Sequence, residues 1–101
     1  MKRRDRRYTA VAERDLEIIQ DTLFQQMPGR DVKFTDKLEA TLSHVCTFPE
    51  LGKSMTDLSN DFRMIPIWDY LIFYTIHTDY IRIERVLHGA RDIHRVFDDE
   101  V

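Results

Sequence analysis

The side chains of this 101-residue chain best suited to chemistry gather near its C-terminus, where His88, Arg91, Asp92, His94 and Arg95 fall within eight positions. An imidazole titrates near neutrality, so His88 is a natural general acid or base. No base or cationic cluster is predicted beside it, however, and a hydrogen-bonded place at a strand end is the plainer role. Arg91 and Asp92 admit two compatible readings. They are an internal ion pair fixing the turn after Gly89, or Arg91 is presented to a target, since guanidinium makes forked bonds to carboxylate or phosphate. Cys46 is the only cysteine, which excludes an internal disulfide and a cysteine-based zinc site. Next to Val45, with nothing cationic to activate a thiolate, it reads as a small buried hydrophobe. His44, His77 and His94 lack metal-cluster spacing and read as surface residues, so no catalytic set, metal or cofactor is expected. Trp68 falls in a predicted turn, either as a partner's hot spot or, more simply, as the cover of a hairpin.

A scaffold for these residues must be small. At about 150 residues per domain, residues 1–101 make a single domain, and 43% hydrophobic with 33% charged residues is the balance of an ordinary folded one. The charge is unevenly spread. Five of the 15 basic residues lie in a basic arm over residues 1–7 with only Asp5 against them, so residues 8–101 carry −7, ten basic against seventeen acidic. An acidic tail closes the chain over residues 98–101. Such a body should bind nucleic acid poorly, because that affinity rests on neutralising phosphates, and the arm Lys2 to Arg7 reads either as a contact for DNA or for a partner's acidic segments or, more simply, as a solvated, poorly ordered terminus. No apolar run approaches the roughly 18 residues that span a bilayer, and no apolar signal segment follows the arm. A cytoplasmic protein with no membrane contact is expected.

Periodicity supplies the elements. Tyr8-Thr9-Ala10-Val11 reads as a short first strand. Ala12, Leu16, Ile19 and Leu23 recur at helical spacing, with Thr9 as cap, until Pro28-Gly29 interrupts. Phe34, Leu38, Leu42 and Val45 form a second apolar stripe that ends near Phe48-Pro49. Residues 50–61 read as a loop. Three segments rich in Ile, Val, Tyr and Phe follow at 63–67, 70–76 and 80–88, an antiparallel meander with Pro66 at an edge or a bulge. In the last, Ile81, Ile83 and Leu87 alternate with Arg82, Glu84 and His88, predicting one buried face and one wet one. The fold class is α+β: an N-terminal short strand, a two-helix antiparallel hairpin, then a three-stranded antiparallel meander, with the hairpin on one sheet face. The last strand should end near His88, with Gly89 allowing a turn that a side chain would resist, so that Arg91, His94 and Arg95 project beyond the sheet.

Arg85-Val86-Leu87-His88-Gly89-Ala90-Arg91-Asp92 resembles the closing strand of the ParE branch of the ParE/RelE toxin superfamily. Ala12, Asp15-Leu16 and Ile19 are similar to that family's first helix, Phe34, Leu38 and Leu42 to its second, Pro49-Glu50-Leu51-Gly52 to the turn that follows, and Tyr70-Leu71-Ile72-Phe73-Tyr74 to its third strand. The resemblance covers residues 8–97. It implies a toxin of a bacterial type II toxin–antitoxin pair, neutralised by a ParD-like antitoxin and arresting growth by poisoning DNA gyrase, with DNA met only through that target. The sister RelE branch cleaves messenger RNA on the ribosome, which demands converging cations and an acid–base pair around a phosphate. Alignment on Gly89 places Phe62 and Met64 where those ribonucleases carry lysines, Leu71 at an arginine and Phe97 at a tyrosine, leaving Arg91 alone.

Three functions therefore compete: a gyrase-directed toxin without catalysis, a RelE-like ribonuclease using His88, Arg91 and Arg85, and a non-toxic relative that only binds an antitoxin. On the first reading His88, Arg91 and Arg95 contact the target, with Gly89 and Asp92 structural. Leu23, Phe24 and Met27 at the end of the first helix are the expected antitoxin-binding residues, because so small a domain cannot cover all its apolar helical positions.

Overall fold

A computed structural model describes residues 2–58 and 61–99. Met1 of the arm, Ser59 and Asn60 of the expected loop, and Glu100 and Val101 of the acidic tail lie outside the described residues. The chain opens with strand β1 (Asp5–Tyr8) and turns at once into helix α1 (Ala10–Gln26). Thr9 makes that switch: its hydroxyl oxygen accepts from the Ala12 N–H at 3.0 Å and donates to the Glu84 carbonyl at 3.0 Å, so one side chain caps the helix and ties it to the sheet. The first strand thus lies earlier than Tyr8 to Val11, because capping at Thr9 commits Ala10 and Val11 to α1. Asp5, Arg6 and Arg7 belong to the sheet, not to a loose arm.

Helix α2 (Arg30–Thr47) starts from Gly29, whose φ of +98° is a left-handed conformation that favours glycine. It ends where Pro49 begins a single 3-10 turn, Pro49–Leu51. A two-residue strand, β2 (Lys53–Ser54), then lies inside the segment expected to be loop and pairs with Arg63 and Met64. The meander follows as β3 (Arg63–Ile67), β4 (Tyr70–Ile76) and β5 (Tyr80–His88). The sheet is therefore five-stranded and mixed, in the order β1-β5-β4-β3-β2, with β1 parallel to β5. Because β2 pairs only with Arg63 and Met64, Pro66 sits beyond it on the open side of β3, where a missing N–H costs nothing.

One face of the sheet is covered by the helical hairpin. Ala12, Ile19, Leu23, Phe34, Leu38, Leu42, Val45 and Cys46 pack on Ile67, Ile72, Tyr74, Ile81, Ile83 and Val86. Strand β5 does not alternate simply along its length. Phe73 pairs with Arg85 and Tyr74 with Ile83, leaving Glu84 as an extra residue in a bulge. The bulge shifts the pattern by one: Ile81 and Ile83 before it and Val86 after it join the hairpin core, while Leu87 turns to the other face. At the bulge, the Asp15 carboxylate accepts from Arg85 Nε at 2.8 Å, from Arg85 Nη2 at 3.1 Å and from the Val86 N–H at 3.0 Å, clamping α1 to β5.

The second face is not bare. The C-terminal residues fold back as helix α3 (Ile93–Asp99). Ile93, Val96 and Phe97 close a second apolar cluster with Leu58, Phe62, Met64, Leu71, Phe73 and Leu87.

Candidate functional site

The end of β5 leads into the residues singled out for target binding. His88 is exposed; its Nδ1 accepts from the Ala90 N–H at 3.0 Å, and its ring stands edge-on to Tyr70 at 5.3 Å. This is the hydrogen-bonded strand end expected. The Gly89 N–H donates to the Asp69 carbonyl at 2.8 Å, which docks the turn on the β3–β4 hairpin. Its φ is not in the left-handed region, and an added Cβ would meet only the Asp69 oxygen at 3.4 Å and Leu71 beyond it. A glycine is thus not demanded at this position, contrary to the expectation from sequence.

Asp92 caps α3. Its carboxylate accepts from the Arg95 N–H at 3.3 Å, and its carbonyl accepts from Val96 N–H at 3.1 Å. Of the two readings of Arg91 and Asp92, the internal ion pair is absent among the described residues. Arg91 is exposed, held by its N–H to the His88 carbonyl at 3.1 Å. Only the turn at 89–91 leaves the sheet; His94 and Arg95 ride on α3, which lies back over the sheet instead of projecting past it. His94 Nε2 sits 3.1 Å from Asp57 Oδ2, and that hydrogen bond holds the exposed Asp57 carboxyl below its ordinary range.

The positions aligned with the ribonucleases' lysines, third-strand arginine and tyrosine are filled here by apolar side chains packed together. Phe97 is 6% exposed, its ring edge-on to Phe62 at 5.1 Å and to Phe73 at 5.0 Å, with Met64 and Leu71 in the same cluster. Arg85 is spent on Asp15 and buried. Arg85 is thus engaged inside the fold, while His88 and Arg91 are exposed on the turn.

At the end of α1 the three antitoxin candidates divide. Leu23 is 2% exposed, a core residue, because it continues the Ala12–Ile19 stripe, so it is removed from the surface set. Phe24 and Met27, one and four positions on, are 54% and 63% exposed. The hairpin turn of β3 and β4 lies nearby. Trp68 covers Phe34 edge-on at 5.5 Å and carries the Arg30 guanidinium 5.0 Å over its ring, yet stays 41% exposed at a φ of +55°. The cover reading of Trp68 holds, and sequence gave no sign of Arg30 above it.

Sequence reasoning missed the opposite end of the sheet altogether. There Arg7 lies 3.9 Å over the Tyr80 ring, which also stacks on His77 at 4.4 Å, and Arg4 Nε donates to the His77 carbonyl at 2.9 Å. His77 is half-buried by these contacts, not a bare surface residue; His44 and His94 are exposed, and Cys46 is buried as expected. The alternation that could have marked β1 is only four residues long and mostly charged. Among the described residues no cluster of metal-ligating side chains occurs, and no helix is long and apolar enough to cross a membrane.

Comparison with known proteins finds one family model, described as ParE toxin of type II toxin-antitoxin system, parDE, matching residues 6–93. The fold is similar to a chain of the chromosomal ParDE system of P. aeruginosa, with a TM-score of 0.70 and 16% identity over 84% of this chain and 95% of that one. It is also similar to a chain of the E. coli DinJ-YafQ toxin-antitoxin complex, with a TM-score of 0.64 and 14% identity over 88% and 96%. YafQ from E. coli strain BL21(DE3) matches with a TM-score of 0.60 and 17% identity over 86% and 94%. No match is found among curated proteins.

Proposed function

Because this chain belongs to the ParE toxin family of type II toxin–antitoxin systems, we propose that it arrests growth in the cytoplasm by binding DNA gyrase, without chemistry of its own, and that a ParD-like antitoxin neutralises it by direct contact. The observation that carries the non-catalytic reading is the second apolar cluster. Phe62, Met64 and Leu71 stand where the sister branch carries cations and Phe97 where it carries a tyrosine, all four in one apolar cluster, so a crowded phosphate transition state finds no charge among them to stabilise it. On this reading the turn after β5 is the contact with gyrase: His88 and Arg91 are exposed on it, and Arg95 follows in the first turn of α3. Phe24 and Met27 are the contacts with the antitoxin. Two of the structures similar in fold come from toxin–antitoxin systems, which supports an antitoxin as partner.

The test is to add purified protein to gyrase and supercoiled plasmid. Cleaved, gyrase-bound DNA should accumulate with protein concentration. No trapped cleavage complex at micromolar protein overturns the target assignment, and messenger cleavage in programmed ribosomes, lost on Arg91→Ala, would place the activity in the ribonuclease class instead.

A further inference from the structure

The two-residue loop between β3 and β4 holds a residue out of keeping with its place. Ile67 and Tyr70 pair across the hairpin, which leaves Trp68 and Asp69 to turn the chain. Trp68 does so at a φ of +55°, a left-handed conformation that glycine adopts freely and a bulky side chain resists. The fold tolerates this and still leaves the indole 41% exposed. Covering Phe34 accounts for only part of it, because Tyr70 stands edge-on to the same buried ring at 5.4 Å.

The donors around it are unspent. The Arg30 guanidinium, 5.0 Å over the indole, has no ion pair among the described residues; neither has Arg91, and the indole N–H has no hydrogen-bond partner among them. A guanidinium held over an aromatic face is preorganised and keeps the planar fork of donors that fits a carboxylate. The patch runs on into the turn after β5, since the Asp69 carbonyl accepts from the Gly89 N–H at 2.8 Å and Arg91 follows two residues later. Three carboxylates stand among these cations. Asp31 accepts from the Gly29 N–H at 3.2 Å and Asp92 caps α3, while Asp69 is exposed at the hairpin tip.

We propose that Trp68 and Arg30 belong to the surface that meets the arrest target, and that what they meet there is protein: a carboxylate seated on the Arg30 fork, beside an apolar side chain laid on the indole. The inference rests on the reading that the turn after β5 contacts the target, and it extends that contact across the β3–β4 hairpin. Tryptophan and arginine are the side chains that dominate interface hot spots. DNA is the poorer occupant, because Asp31, Asp69 and Asp92 would stand against a duplex that carries one negative charge about every 1.7 Å. A protein surface can answer each sign with its opposite.

Trp68 is the only tryptophan, so the full chain grown with 5-fluorotryptophan carries its ¹⁹F signal at this patch alone. Purified gyrase without DNA should broaden that signal, and a short DNA duplex should leave it unchanged. Arg30→Ala truncates an exposed side chain, so its melting temperature should hold while gyrase affinity falls at least about tenfold, as loss of a hot spot does. Trp68→Gly suits the +55° backbone and should fold, as checked by circular dichroism, and survivors after induction should rise in both variants. A purely structural part for the pair would leave killing by the stable Arg30→Ala chain untouched. If wild type kills but gyrase leaves the signal unchanged, loss of killing in both folded variants upholds the surface and overturns only the choice of gyrase. Full killing by folded Arg30→Ala and Trp68→Gly, unchanged gyrase affinity in Arg30→Ala, or broadening by the duplex alone would each overturn the inference. A wild-type chain that arrests nothing would overturn it together with the reading beneath it.

Discussion

Tyr74 is the residue whose role is least visible in the sequence, where it sits as one more member of an apolar strand. In the fold its buried hydroxyl donates to the Pro49 carbonyl at 2.6 Å and accepts from the Gly52 N–H at 2.8 Å. It thereby anchors the turn after α2 to the sheet. The closeness required is what Gly52 supplies, since a Cβ there would stand 2.6 Å from the Tyr74 oxygen and 3.0 Å from the Met64 carbonyl. Sequence reasoning placed the demanding glycine at Gly89; the structure moves that demand to Gly52, because a pair 22 residues apart leaves no local trace. Tyr74→Phe leaves a buried N–H and a buried C=O without that partner, and should lower unfolding free energy by about 1–3 kcal/mol in urea titrations, with Gly52→Ala at least as damaging. Burial raises the Tyr74 phenol above its ordinary pKa, and Tyr8 is raised the same way. A raised pKa means the unfolded chain loses its proton first as pH climbs. This contribution is therefore intact below about pH 10, the usual tyrosine value, and is lost above it. Tyr74→Phe should flatten that alkaline decline; parallel stability curves for the two proteins would exclude the assignment.

Among elements, the amphipathic helices and the meander were legible because each carries its own period and its own stop, Pro28-Gly29 after α1 and Pro49 after α2. The capping role of Thr9 was readable for the same reason. Three features were not. Strand β1 is bounded by a cap that takes three of its four expected residues, Thr9 as the cap itself and Ala10 and Val11 for α1. The bulge at Glu84 is a defect in alternation that only pairing with β4 reveals. Helix α3 has seven residues and follows what looked like a sheet edge. Its worth lies in covering the second face: Phe97 closes on Phe62 and Phe73, and Asp92 begins the helix. Phe97→Ala should cost about 3 kcal/mol, as truncation of a buried phenylalanine does, and open that face to a hydrophobic dye and to amide exchange along α3. Asp92→Ala should cost about 1 kcal/mol through the lost cap. Equal dye binding by wild type and Phe97→Ala would show that α3 is not the cover.

At the scale of the whole molecule, the two proposed surfaces lie at one end of the sheet, linked by contacts that can be followed through the structure. The Met27 carbonyl accepts from the Arg30 N–H at 2.9 Å; Arg30 lies over Trp68 at 5.0 Å; Trp68 meets Phe34 at 5.5 Å, Phe34 meets Tyr70 at 5.4 Å, and Tyr70 meets His88 at 5.3 Å. Arg91 then bonds the His88 carbonyl. An antitoxin seated on Phe24 and Met27 is thus placed to cover the approach to Arg91, and on this reading neutralisation is exclusion of the target by bulk. Two variants separate the surfaces. Phe24→Asp changes an exposed side chain, so the fold and killing should persist while antitoxin affinity falls by about 2 kcal/mol or more, the range of an interface hot spot. Arg91→Ala with Arg95→Ala should abolish growth arrest and leave antitoxin affinity within about 0.5 kcal/mol, as substitution outside a contact does. Survival counts after induction, with and without the antitoxin, and calorimetry of the folded variants read both effects. Killing by a folded Arg91 and Arg95 double variant, or unchanged antitoxin affinity of Phe24→Asp, would break the assignment of the corresponding surface. Loss of both properties in either variant would mean that target and antitoxin share one set of residues, so that neutralisation is competition for the same side chains.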